Sequence, residues 1–345
     1  MDVTAKKAFA SEFYSRQVIL NELGVKGQQK LAKSKIAVVG VGGLGTVSSL
    51  YLALAGVGHL RLIDQDTVET ANLHRQILYS LDDLHYPKAE VAAKRLEKLN
   101  PLLTAEPVSD NVNAANVETL LAGVDLVVDG LDNMSTRYLI NRTCVKMSVP
   151  YVFGAAIGIE GNLSVFAPPE TGCLECLLPN MSDNDLMKCD TRGVIGATPG
   201  IIGAMQAMEA IKVLVGMGSP LKGKLMVCDF NDMYFTTVDT SKAVNCPACK
   251  GKSSAELREK LVWLCGQNTA NINPEKPLKL NLEEASKTIR QLFKVRLKSH
   301  LAIIFDYGNL EVSLFNGGRM LIKKVPNEAV ALKAYKEILK KIGIT

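Results

Sequence analysis

Four glycines in the run KIAVVGVGGLG, namely Gly40, Gly42, Gly43 and Gly45, are spaced so that backbone amides can approach an anion with no Cβ in the way. Gly40, Gly42 and Gly45 fit the pattern G-x-G-x-x-G, and Gly43 adds a further open position. An acidic residue, Asp64, follows about 20 residues on, where a carboxylate meets the hydroxyls of a ribose. No Lys-Ser or Lys-Thr pair follows the last glycine, so the turn is not a P-loop. The chemistry this implies is nucleotide binding; the alternative for the glycines alone is an ordinary tight turn. Beyond Asp64 the run DQDTVETANLHRQILY crowds donors and charges beside that turn, as a binding loop would.

The cysteines make a second constellation. Cys173-Leu-Glu-Cys176 and Cys246-Pro-Ala-Cys249 are two C-x-x-C knuckles in turn-like settings, and four such thiolates form a closed, tetrahedral, structural zinc site. A redox pair or coincidence is the competing account. Cys189 sits in the polar stretch SDNDLMKCDTRGVIG between Lys188 and Arg192, where positive charge lowers a thiol pKa. It reads either as a reactive thiol or as a bystander. Cys144 and Cys228 fall in apolar patterns and read as buried and inert, while Cys265 has no reading.

These residues need elements to hold them. Ile36 to Val39 is a short apolar run suited to a buried strand, and TVSSLYLALAGVG after the glycines has helical length. Strands are predicted at HLRLID, near Ala105 to Val108, at Val124 to Val128 and at PYVFGAAI, with helices at KAEVAAKRLEKL, around Ala114 to Leu121 and at TRYLINRTCVKM. This alternation predicts an α/β fold with a Rossmann-like, mostly parallel sheet. Asp132, just past the strand ending at Val128, belongs on the same rim as the glycines, because ligands collect beyond the carboxyl ends of such strands. GNLSVFA, KLMVCDF and YFTTVDT predict an antiparallel extension, and Gly200 to Gly216 a long buried helix. Residues 11 to 34 read as polar helix. The segment CKGKSSAEL predicts a boundary, giving one domain over 1–252 and a small α+β domain over 253–345. In the latter PLKLNL reads as a strand, LEEASKTIRQLFKVRL as a helix, three strands follow with a tight turn at Asn316-Gly317-Gly318, and a helix closes the chain.

Composition excludes some classes. The 345 residues are 47% hydrophobic and carry a formal charge of +5, not gathered into one run, which disfavours nucleic acid as a partner. No apolar stretch is long enough to span a membrane, and the first residues lack the apolar centre of a signal peptide, so a cytoplasmic location is expected.

Taken together, KIAVVGVGGLG, the DQDTVETANLHRQ loop, HYPKAE with Lys88, VVDGLDN with Asp132 and the paired knuckles resemble the ThiF/MoeB family, prokaryotic relatives of ubiquitin-activating enzymes, over roughly residues 11 to 250. The resemblance implies ATP-dependent adenylation of the C-terminal glycine of a ubiquitin-like or sulfur-carrier protein ending in Gly-Gly. It implies that Gly40, Gly42, Gly43 and Gly45 line the phosphates, that Asp64 holds the ribose, and that Asn72, Arg75, Gln76 and Lys88 contact the nucleotide. Asp132 would hold Mg²⁺, Cys173, Cys176, Cys246 and Cys249 would hold Zn²⁺, and Arg16 would reach the ATP of the other protomer of a homodimer. Cys189 matches a cysteine that, in some relatives, takes the acyl group or a sulfur. The C-terminal region departs from relatives that carry a rhodanese domain, so sulfur would come from a separate sulfurtransferase, or the carrier would pass to a conjugating enzyme. By position the region resembles a ubiquitin-fold domain. Adenylation of a small amino acid or peptide, a binding module that has lost catalysis, and an NAD-dependent oxidoreductase are the rival readings; the last leaves Arg16, Arg75, Lys88 and Asp132 without joint purpose.

Overall fold

The computed structural model describes residues 2–183, 193–251, 261–264 (262–264 by backbone), 268–274 and 278–343. Eight strands form one sheet: β1 (Lys35–Val39), β2 (His59–Ile63), β3 (Thr104–Val108), β4 (Leu126–Asp129), β5 (Tyr151–Ile157), β6 (Glu160–Phe166), β7 (Lys224–Asp229) and β8 (Tyr234–Asp239). Their order is β3-β2-β1-β4-β5-β6-β7-β8. The first five run parallel and the last three add antiparallel, as the change in sequence pattern at residue 160 predicts. Ile36, Val38, Leu60, Leu62, Leu126 and Val128 point to one core and Ala37, Val39, Ile63 and Val127 to another, so the central strands are buried on both faces.

The chain reverses direction across the sheet between β1 and β4, and there the backbones touch. The Gly40 amide donates to Ile63 O at 2.8 Å and the Gly130 amide to Val39 O at 2.8 Å. A Cβ on Gly45 would lie 1.9 Å from Gly40 O, and one on Gly130 would lie 2.0 Å from the same oxygen. The helix Gly43–Ala55 therefore starts directly against the end of β1. The helix Ala197–Val215 crosses it closely, since a Cβ on Gly203 would meet Leu44 O at 2.7 Å. It buries Ile202, Gln206, Ala207 and Ala210, and Gly216 in the left-handed conformation ends it.

The helix expected over 11–34 is instead three: Val3–Phe13, Ser15–Val18 and Gly24–Lys33. Buried Tyr14 and the positive φ of Gly24 interrupt it.

A second sheet, antiparallel throughout, is built from β9 (Leu261–Leu264), β10 (Thr269–Ile272), β11 (Lys294–Lys298), β12 (Ala302–Tyr307), β13 (Leu310–Phe315) and β14 (Met320–Lys323). Its order is β11-β12-β13-β14-β10-β9. The predicted turn at 316–318 joins β13 to β14. Two expectations fail. The helix ends at Leu292 and KVRL becomes β11, because Val295 and Leu297 pair with β12. The described part of PLKLNL, residues 278–282, is not a strand; Leu278 and Leu280 donate instead to Gly317 O and Asn316 O of the turn. Helices Leu282–Leu292 and Glu328–Lys341 cover one face through Ile289, Ala331 and Ile338 packed on Ile303, Phe305 and Ile322. Alternation along the strands turns Ala302, Ile304, Phe315 and Leu321 to the opposite face.

Gly45→Ala forces a Cβ into a backbone oxygen that cannot move without displacing β1, and is expected to lower unfolding free energy by about 2–3 kcal/mol in urea denaturation. Gly123→Ala has open space around its Cβ but a positive φ of 71°, and is expected to lose only about 1 kcal/mol.

Candidate functional site

The rim at the carboxyl ends of β1, β2 and β4 gathers the predicted residues. Asp64, just past β2, accepts hydrogen bonds from the Val41 amide at 2.7 Å and the Asp66 amide at 2.8 Å, which ties the glycine turn to the neighbouring strand. The Tyr79 hydroxyl donates to Val41 O at 2.8 Å and holds the same turn from the other side. Burial pushes the Asp64 carboxyl up to about 6; Lys88 pulls against it, and the charge of Asp66 adds to the rise.

Beside this turn lies a polar cavity of about 100 Å³ lined by Asp66, Asn72, Arg75, Gln76, Lys88 and Asp132. Lys88 opens the helix Lys88–Leu99 and its ammonium is 3.1 Å from Asp66 Oδ2. Burial alone would lower the Lys88 pKa, but the carboxylates of Asp66 and Asp64 outweigh it and keep the ammonium charged. Arg75 Nη1 donates to Ala71 O at 3.1 Å and meets His74 Nε2 at 2.7 Å. Gln76 is buried, and its Oε1 has no partner among the described residues, so it is an acceptor held ready beside the turn. Asp132 is exposed at the cavity edge. The end of β4 that carries it is fixed from below: buried Asp129 binds Arg137 Nε at 3.0 Å and the Tyr151 hydroxyl at 2.6 Å, while Gln206 Nε2 donates to Asp129 O at 2.6 Å.

Two chain segments flank the cavity. On one side Asp183 accepts from the Met134 amide and the Ser135 hydroxyl, both at 2.5 Å, at the start of the helix Met134–Met147 that follows Asp132. On the other side the Gly158 amide donates to Gly193 O at 2.8 Å, and a Cβ on Gly196 would lie 2.5 Å from His74 O, next to Arg75. Cys189, with Lys188 and Arg192, falls between these segments and lies outside the described residues.

The four knuckle cysteines converge. Cys173 Sγ is 3.9 Å from Cys176 Sγ and 3.7 Å from Cys246 Sγ, and Cys176 Sγ is 3.6 Å from Cys249 Sγ. All four sulfurs lie within 4.8 Å of one another. A tetrahedron with metal–sulfur bonds of about 2.3 Å has edges of about 3.8 Å, so the arrangement has the size of a zinc tetrathiolate. The Leu174 amide donates to Asn141 Oδ1 and Glu175 pairs with Arg142, which anchors the first knuckle on the helix behind Asp132. Cys144 and Cys228 are buried as expected, and burial holds both thiols above their usual pKa.

Arg16 is not brought to the cavity; it is exposed on the short helix Ser15–Val18. Conversely, Asp66, Thr67 and Glu69 line the cavity; they lie in the DQDTVETANLHRQ loop, whose pattern does not pick them out individually as site residues. Thr269 and Leu321 line it as well, from the second sheet, and nothing in their local sequence signals that placement.

The comparisons with known proteins agree with this geometry. A profile described as the ThiF family matches residues 14–248. The SAMP-activating enzyme E1 of Haloferax volcanii is 43% identical over 237 residues, which are 68% of this chain and 87% of that protein. The sulfur carrier protein ThiS adenylyltransferase of Escherichia coli is 40% identical over 242 residues, 70% of this chain and 96% of that protein. Among solved structures, E. coli MccB with ATP superposes with a TM-score of 0.61 at 26% identity, covering 69% of this chain and 74% of that one.

The raised pKa of Asp64 has a definite sign. Its folded value of about 6 exceeds the ordinary 3.8, so its contribution to stability is present below about pH 4 and is lost as pH rises through about 6. The unfolding free energy of the wild type minus that of Asp64→Asn is therefore expected to fall by about 1–3 kcal/mol between pH 4 and 7. A difference that stays flat, or rises with pH, contradicts the burial of this carboxyl.

Proposed function

The chain belongs to the ThiF family, and from that premise we propose that it uses ATP to adenylate the C-terminal glycine carboxylate of a ubiquitin-like or sulfur-carrier protein. The observation that carries the proposal is the convergence of Arg75, Lys88, Gln76 and Asp132 on one small cavity beside the glycine turn and Asp64. A dinucleotide oxidoreductase needs the turn and the acidic residue but has no use for that cation and carboxylate set.

In this reading the ribose hydroxyls donate to Asp64, and the phosphates lie along Gly40 to Gly45 with Asn72 and Gln76 at their flank. A carboxylate oxygen of the carrier terminus attacks the α-phosphorus, a new phosphorus–oxygen bond forms, and the bond to the bridging oxygen breaks with pyrophosphate leaving. No general base is required, because the attacking carboxylate is already ionised at neutral pH. The obstacle is the repulsion of two anions, and it is met by Lys88, kept charged by its aspartate neighbours, and by Arg75. Asp132, an exposed carboxylate at the edge of the same cavity, offers a hard oxygen donor suited to Mg²⁺, which when bound neutralises phosphate charge.

The family membership supports a step after adenylation in which the Cys189 thiolate attacks the acyl carbon and displaces AMP, or carries as a persulfide the sulfane sulfur that a sulfurtransferase delivers. Exposed Arg16, beside exposed Ile19 and Leu20, supports a homodimer in which the arginine completes the partner's nucleotide site. β8, an edge strand with exposed Tyr234, Phe235 and Val238, supports a docking face for the carrier body. From there the activated carrier goes to a conjugating enzyme or receives sulfur from a sulfurtransferase. The tetrathiolate cluster is read as a structural zinc site that pins Cys246 and Cys249, after β8, to the helix behind Asp132. No helix among the described residues is long and apolar enough to cross a membrane; a cytoplasmic location is part of this proposal.

ATP–pyrophosphate exchange with a protein ending in Gly-Gly is expected to drop at least ~100-fold in Asp132→Ala and in Lys88→Ala, and to survive in Cys189→Ala. Exchange lost in Cys189→Ala would put the thiol before adenylation and contradict a thiol step that follows it. Cys246→Ser is expected to lose bound zinc by metal analysis and to lower the thermal midpoint; full zinc occupancy in that variant would remove the tetrathiolate assignment.

A further inference from the structure

The second sheet is not simply appended to the chain; one of its faces is pressed on the rim that carries Asp64 and the polar cavity. Its neighbouring strands β10 and β14 alternate, and residues of one parity face the rim. From β10 and its continuation these are Thr269, Asn271 and Asn273, and from β14 and the residue before it Arg319, Leu321 and Lys323. In the ladder Thr269 pairs with Lys323 and Asn271 with Leu321, so the six form one patch.

Arg319 is its centre. The guanidinium is buried, lies flat on Phe315 with 3.6 Å to the ring centroid, and donates to Gln65 O at 2.8 Å and Ser109 O at 3.1 Å. Those oxygens lie just past the carboxyl ends of β2 and β3, one residue from Asp64 on the β2 side. Asn271 adds a bond from Nδ2 to Gln65 Oε1 at 3.1 Å and accepts from Arg319 Nη1 at 3.1 Å. Lys323 binds Thr67 Oγ1 at 2.9 Å and Glu69 Oε1 at 2.5 Å. His85 and Glu311 meet at 3.1 Å farther along.

Two cavities border this contact: the one of about 100 Å³, walled by Thr269 and Leu321, and another of about 180 Å³ between Val108, Ser109, Asp110 and Phe315, Asn316, Arg319. The first, which carries Arg75, Lys88 and Asp132, is smaller than the roughly 300–1,000 Å³ of small-molecule and cofactor pockets. The contact is also imperfect. Arg319 Nε, Ser109 Oγ and Asn111 Oδ1 are buried with no hydrogen-bond partner among the described residues, and Nε is 3.9 Å from Asp110. A buried donor or acceptor without a partner has given up its water without replacing it, so the closed arrangement holds groups that gain from opening.

We propose that the second sheet is an autoinhibitory cover on the nucleotide site, latched by Arg319 and Lys323, and that ATP binds only when the latch releases. The inference rests on reading the rim as an ATP site. When the open form is a small fraction of the population, the apparent dissociation constant for ATP is raised by the inverse of that fraction, and loosening the latch recovers it.

The test is ATP binding by calorimetry on the full chain, for wild type, Arg319→Ala and the milder Lys323→Ala, with thermal melts to verify folding. Both variants are expected to bind ATP roughly 10-fold or more tightly than wild type. If they bind ATP with unchanged or weaker affinity while folded, the sheet is a fixed wall of the site and the inference is overturned. ATP binding by none of the three proteins overturns the nucleotide reading itself, and the cover with it.

Discussion

Three glycines meet where the chain turns from one half of the large sheet to the other, and the site depends on how close they come. Gly45 and Gly130 both press on the carbonyl of Gly40 at distances no side chain allows. That crossing sets the start of the helix Gly43–Ala55 against β1 and fixes where β4 delivers Gly130 to Asn133. Asp64 then ties the turn to β2 through the Val41 amide, and Asp129 ties β4 to Arg137 and Tyr151 underneath. The amides of the glycine turn and the segment that carries Asp132 are thus held by backbone contacts rather than by long, adjustable side chains, as electrostatic preorganisation of a site would demand.

Charge in the cavity is balanced within a few residues. Lys88 is buried, which by itself would favour the neutral amine, yet Asp66 and Asp64 keep it an ammonium. The same cation lowers Asp66, whereas Asp64, more deeply buried, remains raised despite the two backbone amides that donate to it. An incoming polyanion would meet a charged lysine and an arginine whose hydrogen-bond partners, Ala71 and His74, are its own near neighbours in the chain. The second sheet brings Arg319 and Lys323 near the same rim, where both act on the Asp66 carboxylate and Lys323 binds Glu69.

Much of this was legible in the chain itself. The strand, glycine turn, helix and Asp64 appear in order because parallel strands are continuous apolar runs and the turn requires residues without Cβ. The knuckles announced a four-sulfur cluster, and their sulfurs do converge. What stayed hidden depends on tertiary contact. The breaks follow from burial of Tyr14 and the left-handed backbone of Gly24, and the conversion of KVRL to a strand follows from its pairing with β12. Above all, Arg319 and Lys323 lie in a run that reads only as one strand of a small α+β domain; their bonds to Gln65, Ser109 and Glu69 span more than two hundred positions.

The claim on which the rest stands is attack by a carrier carboxylate on the α-phosphorus of ATP. Supplying a Gly-Gly carrier whose terminal carboxylate is labelled with oxygen-18, discharging the adduct with a thiol or amine, and measuring the released nucleotide by mass spectrometry tests it directly. The account predicts labelled AMP, because the attacking oxygen stays on phosphorus when the acyl group departs. Unlabelled AMP, or label recovered in inorganic phosphate with ADP as the nucleotide, would contradict it.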